Sequence, residues 1–155
     1  MLYSIKEYAK TEYVKLIESR VESCIRRYLK KHGWIRITKA KHRSEHGIDI
    51  KAYQPKICRS VQIEVKGGSK YPHQAFYYVL GQLLSRMDIE GNRNNKGRIY
   101  AIGIPYSWAS VYRRKIQKMK FGWKLVRPKV YLVKWNGVVT EKPYTYFLRK
   151  EWSNK

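Results

Sequence analysis

The stretch Val61-Gln62-Ile63-Glu64-Val65-Lys66 decides the reading of this chain. Apolar branched residues occupy every second position, and side chains of a strand alternate between its faces. Val61, Ile63 and Val65 therefore line one face, and Gln62, Glu64 and Lys66 the other. Gly67-Gly68-Ser69 ends the strand. Working upstream, residues 47–53 read as a second strand carrying Asp49, and residues 34–38 alternate as a short third one. The polar residues 39–46 between them read as a loop. Before these, residues 5–31 read as a long helix, with Val14, Ile17, Val21, Cys24, Ile25, Tyr28 and Leu29 at helical spacing. Lys30, Lys31 and Gly33 supply its stop.

Downstream, Ala75, Val79, Leu83 and Met87 mark a helix over residues 72–87. Residues 88–97 read as loop and 98–104 as a strand. A basic helix is expected over 108–120, with Ser107 as its N-cap. A further strand follows at 129–135, then an Asn136-Gly137 turn and a last short strand at 144–148. The order predicts an α/β fold, with a central mixed sheet flanked by helices. The length of 155 residues fits one domain over 1–155.

Composition narrows the partners. The formal charge is +23, from 34 Lys and Arg against 11 Asp and Glu. Such a charge repels itself and makes most sense beside a polyanion, with nucleic acid the first choice and an anionic membrane surface the rival. Hydrophobic residues at 43% exclude a disordered tail. No apolar stretch approaches the length of a membrane span, and the first residues hold no apolar run of signal-peptide length. These two points lead to an expectation of an intracellular protein with no membrane association. Cys24 and Cys58 lack metal-ligand spacing and read as ordinary thiols.

In so basic a chain each acid calls for a reason. Asp49 and Glu64 sit inside expected strands among branched apolar residues, where a carboxylate is costly unless it is paired or bound to a cation. Two such carboxylates offer hard oxygen ligands suited to Mg²⁺ or Mn²⁺, and Lys66 beside them can offset phosphate charge. The plain alternative is a structural ion-pair cluster.

The pattern Gly47-Ile48-Asp49 followed by Ile63-Glu64-Val65-Lys66 resembles the PD-(D/E)XK, or restriction-endonuclease-like, nuclease superfamily. It is most similar to archaeal Holliday-junction resolvases and small viral or plasmid nucleases, over about residues 14–104. The resemblance implies a restriction-endonuclease-like αβββαβ core with an added C-terminal helix and strand. It implies a Mg²⁺- or Mn²⁺-dependent deoxyribonuclease that hydrolyses phosphodiester bonds and is selective for junctions or branched DNA. Asp49 and Glu64 would bind the metal, and Lys66 would assist the attacking water. Glu22 on the first helix, standing before Gly33-Trp34, would add a third metal carboxylate, with Glu18 one turn earlier as its competitor. Gln82 matches a glutamine that some branches place beside the lysine. Arg86 stands where those branches have Tyr. Two symmetric cuts at a junction would call for a homodimer.

The basic residues suggest how a nucleic acid would be held. Residues 91–140 contain 12 Lys or Arg and no acid. Arg113, Arg114, Lys118 and Lys120 are the expected phosphate contacts on the basic helix, and Lys39, Lys41 and Arg43 form a second patch before Asp49. Trp108 and Trp123, interleaved with the charge, read as core aromatics. His42 and His46 are four apart in an expected loop and make no convincing zinc set; His73 reads as a helix-edge residue. A non-catalytic nucleic-acid-binding protein stands as the main rival to a nuclease.

Overall fold

A computed structural model describes residues 16–38, 48–87 and 97–150. The first described helix, α1 (Glu18–Lys31), buries Val21, Cys24, Ile25 and Leu29, as its helical spacing requires. Gly33 follows with φ +79°, a left-handed conformation open to glycine, and turns the chain out of the helix. Residues 34–38, expected as a strand, supply only an isolated bridge between Ile35 and Tyr53. Strands β1 (Ile50–Gln54) and β2 (Arg59–Val65) pair antiparallel through a 3₁₀ turn at Pro55–Ile57.

Helix α2 (Pro72–Arg86) leads to β3 (Arg98–Pro105), which lies parallel to β2. A 3₁₀ turn, Tyr106–Trp108, then precedes α3 (Ala109–Lys118). Ser107 is therefore not the N-cap: it lies inside that turn, and Trp108 holds the capping position without a side-chain bond. The basic helix breaks at Met119 and resumes as α4 (Lys120–Val126). Strand β4 (Lys129–Val133) is parallel to β3, and β5 (Val139–Lys142) pairs antiparallel with β4 across the Asn136-Gly137 turn. Residues 144–148, expected as a strand, form a 3₁₀ helix after Pro143. Its Phe147 is fully buried and Tyr146 nearly so.

The result is a five-stranded mixed sheet in the order β1-β2-β3-β4-β5, covered by helices on both faces. Alternation along β3 divides the core. Tyr100, Ile102 and Ile104 pack with α2, α3 and α4, whereas Ala101 faces the cluster containing α1. Trp108 and Trp123 are buried in the first of these cores, as read from the sequence. A Cβ on Gly103 would collide with Ile25 Cδ1, so this position lets α1 settle close on β3. Gly67 does the same at the end of β2: a Cβ there would lie 2.6 Å from the Leu16 carbonyl oxygen. These two close approaches bring the start of α1 to the carboxyl end of β2.

Cys24 and Cys58 are both free thiols, the first buried and the second exposed. Among the described residues no helix is long and apolar enough to cross a membrane.

Candidate functional site

The described residues contain five acidic side chains, Glu18, Glu22, Asp49, Glu64 and Glu141. Four of them gather where α1 meets the end of β2 and the start of β1. Glu18, Glu22 and Asp49 each place one carboxylate oxygen within 4.8 Å of the others. Glu18 and Glu22 are one helical turn apart and share a face, so the two candidates for the helix-borne carboxylate stand side by side.

Each acid has its own local anchor. Arg26, one turn beyond Glu22, meets Glu22 Oε2 with Nη1 at 2.8 Å. The same guanidinium donates to the carbonyl oxygens of Thr38 and Asp49, at 2.9 and 3.1 Å, and so ties α1 to the residue before β1. Asp49 Oδ2 accepts the Val65 backbone N–H at 2.7 Å. That bond holds the carboxylate at the edge of the sheet and satisfies an amide that would otherwise be unpaired. Arg26 was missed in the sequence, although its i,i+4 spacing from Glu22 is a readable signal.

Glu64 and Lys66 take different partners. Glu64 is 1% exposed, and its Oε1 accepts Arg86 Nε from the end of α2 at 3.4 Å. Burial raises its carboxyl to a pKa of about 7. The charge of Asp49 and a hydrogen bond with that carboxyl push it the same way, while Arg86 pulls it down. Glu64 lies outside the three-carboxylate group and is the acid of this region most ready to hold a proton. Lys66 Nζ points instead to Glu18 Oε2, at 3.8 Å. The Glu18 carboxyl is raised mainly by burial; Lys66 opposes that shift, and Asp49 and Glu22 add to it.

Beside this cluster lies a cavity of about 210 Å³, lined by Glu18, Lys66, Ser69, Gln74, Gln82 and Trp108 among others. Gln82 and Lys66 line this same cavity. Trp108 is fully buried, and its indole Nε1–H has no hydrogen-bond partner among the described residues. A buried donor left without a partner is costly.

The basic candidates divide. Arg114, Lys118 and Lys120 are exposed on α3 and at the start of α4. Arg113 is partly buried and donates to the carbonyls of Arg149 and Lys150, so it holds down the C-terminal segment. Lys39, Lys41, Arg43, His42 and His46 lie outside the described residues.

No family model matches the chain, and no curated protein matches it. A solved structure does: an XisH family protein from Nostoc punctiforme, with a TM-score of 0.53 and 19% identity, over 80% of this chain and 98% of that one. At that identity the likeness carries the fold alone. It corrects the expectation drawn from the Asp49, Glu64 and Lys66 pattern. The match is an XisH family protein, so the restriction-endonuclease-like assignment does not stand. The deoxyribonuclease function, the enzyme class and the nuclease vocabulary that came with it fall too. The motif misled because a strand-borne Glu-x-Lys near an Asp is also what a partly buried set of structural ion pairs produces. Here Glu64 pairs with Arg86, and Lys66 with Glu18.

Proposed function

We propose that this chain is a nucleic-acid-binding protein that grips the phosphate backbone with the basic face of α3 and α4. One observation carries the reading: Arg114, Lys118 and Lys120 stand exposed, with no ion pair to any described residue. Arg114 and Lys118 are one helical turn apart and form a stripe. Four of the five described acids are gathered elsewhere, at the α1–β2 junction, so they do not neutralise this face. Uncompensated cations of this kind release counterions from a polyanion, which supplies affinity without base contacts.

A divalent ion belongs to the same reading. Glu18, Glu22 and Asp49 are hard oxygen donors close enough to share one Mg²⁺ or Mn²⁺. Burial is the main reason that the Glu18 carboxyl is raised, with the charges of Asp49 and Glu22 adding to it, and a cation held by the three carboxylates would favour its ionised form. With the carboxylates neutralised, Lys66 would be left to receive an anion in the adjoining cavity.

Fluorescence anisotropy with a short labelled DNA duplex tests the proposal. Affinity should fall steeply with salt. The double variant Arg114→Glu/Lys118→Glu should bind at least about tenfold more weakly, with a salt slope shallower by roughly two. Binding that ignores both salt and these substitutions would refute it, as would a preference for anionic vesicles over DNA. Mn²⁺ titration of the wild type and of Asp49→Asn tests the ion separately: a single site lost in the variant is expected.

A further inference from the structure

The opposite end of the sheet carries a second concentration of charge. β2 begins at Arg59, β3 at Arg98 and β4 at Lys129. These strands are parallel, with Ser60 opposite Arg98 and Lys129 set three residues further in, opposite Ala101. Their first residues therefore open on the same end. The carboxyl end of α4 adds Lys124 and Arg127. Together these five cations line a groove of about 580 Å³. No described acid lines it; Glu141 stands behind it, 2.6 Å from Lys129 Nζ. Arg59 and Lys124 have no ion-pair partner among the described residues.

The floor of the groove is of a different kind. Met87, Ile99, Leu125, Val126 and Pro143 supply apolar surface, and Leu125 is 69% exposed. A surface made only to track phosphates has no need of such a floor. The size lies within the range of small-molecule sites, roughly 300–1,000 Å³. A ligand matched to both surfaces has a flat apolar ring at one end and several negative charges at the other.

Arg127 adds an independent observation. Its φ is +50°, a left-handed conformation that costs an arginine roughly 1–2 kcal/mol and is ordinarily left to glycine or asparagine. At this helix terminus a glycine would serve the backbone better. The side chain is instead used: Nε donates to the Lys124 carbonyl at 3.0 Å, and the guanidinium lies over the Tyr144 ring, 6.0 Å from its centroid. The first contact covers a carbonyl at the negative end of α4 that would otherwise repel an anion. The second sets the plane of the guanidinium at the groove.

We propose that this groove binds a nucleoside polyphosphate, with the phosphates on Arg59, Arg98, Lys124 and Arg127 and the base on the apolar floor around Leu125. The site is separate from the carboxylate cluster. Arg59 and Val65 are the two ends of a seven-residue strand, so the two sites lie roughly 20 Å apart. It also does not depend on the basic face of α3.

Titration of the full chain with a fluorescent ATP analogue provides the test, with inorganic tripolyphosphate and a single-stranded oligonucleotide as competitors. Arg59→Glu/Lys124→Glu changes two exposed side chains, and its fold is checked by circular dichroism. It should weaken nucleotide binding about tenfold or more. Leu125→Gln should weaken the nucleotide about threefold and leave tripolyphosphate unchanged. Arg114→Glu/Lys118→Glu should leave nucleotide affinity within about twofold, which separates this groove from the duplex-binding face. Absence of saturable binding, equal binding by the folded Arg59→Glu/Lys124→Glu variant, or tripolyphosphate binding as tightly as nucleotide would overturn the proposal. So would an oligonucleotide that outcompetes ATP and loses affinity in the same variant.

Discussion

At its carboxyl end β2 runs into Glu64 and then Lys66, beside Asp49 and the two glutamates of α1. At its amino end Arg59 stands with Arg98 and Lys129, each at the start of a strand. One strand thus separates nearly all the described negative charge from a concentration of positive charge. The ends also differ in how tightly they are built. At the acidic end every carboxylate has a named partner: Arg26 for Glu22, the Val65 amide for Asp49, Arg86 for Glu64 and Lys66 for Glu18. At the basic end Arg59 and Lys124 lack an ion partner among the described residues. Buried charges must be paired to be tolerated, whereas exposed ones can be left for a ligand. The acidic end should therefore respond to mutation through stability, and the basic end through binding.

The largest expected contrast comes from Gly67. A Cβ there meets the backbone of Leu16 and Glu18, which cannot rotate away. Gly67→Ala should lower unfolding free energy by about 3 kcal/mol in urea titration. A Leu125→Gln change at the other end should cost less than about 0.5 kcal/mol. Equal losses would show that the two ends are not built differently.

The pH dependence should follow Glu64. Its folded pKa, about 7, lies above the usual value of 4.5. The folded state therefore binds the extra proton between these values, and the contribution is fully present below about 4.5 and lost as pH rises through 7. Unfolding free energy should fall by on the order of 3 kcal/mol across that window. Glu64→Gln, which keeps an acceptor for Arg86, should flatten the slope. An unchanged slope in that variant would move the cause to another group.

A smaller effect is expected from Arg26. Arg26→Met removes the contacts to Glu22, Thr38 and Asp49 together and should cost about 1–2 kcal/mol, measured by thermal unfolding. If Mn²⁺ binds the three carboxylates, its stabilisation should be stronger in this variant, because one competing cation is gone. The smallest effect is that of Lys129→Met: the Glu141 pair is partly exposed and should contribute less than about 1 kcal/mol.

Much of the fold was legible because its signals are local. The alternation in residues 61–65 and the apolar spacing in α1 each follow from one element meeting one core. The errors were local as well. Residues 144–148 are rich in aromatics, which suit a strand, but after Pro143 the chain curls so that Tyr146 and Phe147 enter the core beside Trp123. Strand β5 went unread because its four residues are all partly buried and show no alternation. Of the site, Asp49 and Glu64 could be singled out because an acid among apolar residues stands out, whereas the helical glutamate came only from the family resemblance. Glu22 was preferred to Glu18 on the helix, yet both reach the cluster, because residues one turn apart share a face.

By itself the sequence determined the excess of positive charge, the alternating strands, the helical stripes and the presence of acids in apolar surroundings. All of these depend on composition or on near neighbours along the chain. Only the tertiary structure decided which charges meet. It turned Glu64 to Arg86 and Lys66 to Glu18, and it brought Arg59, Arg98 and Lys129 to one end of the sheet. Those meetings depend on the pairing of strands and the seating of helices across long sequence separations. No local period encodes such contacts, so Glu64 and Lys66, two residues apart in the motif, came to pair with cation and acid far along the chain.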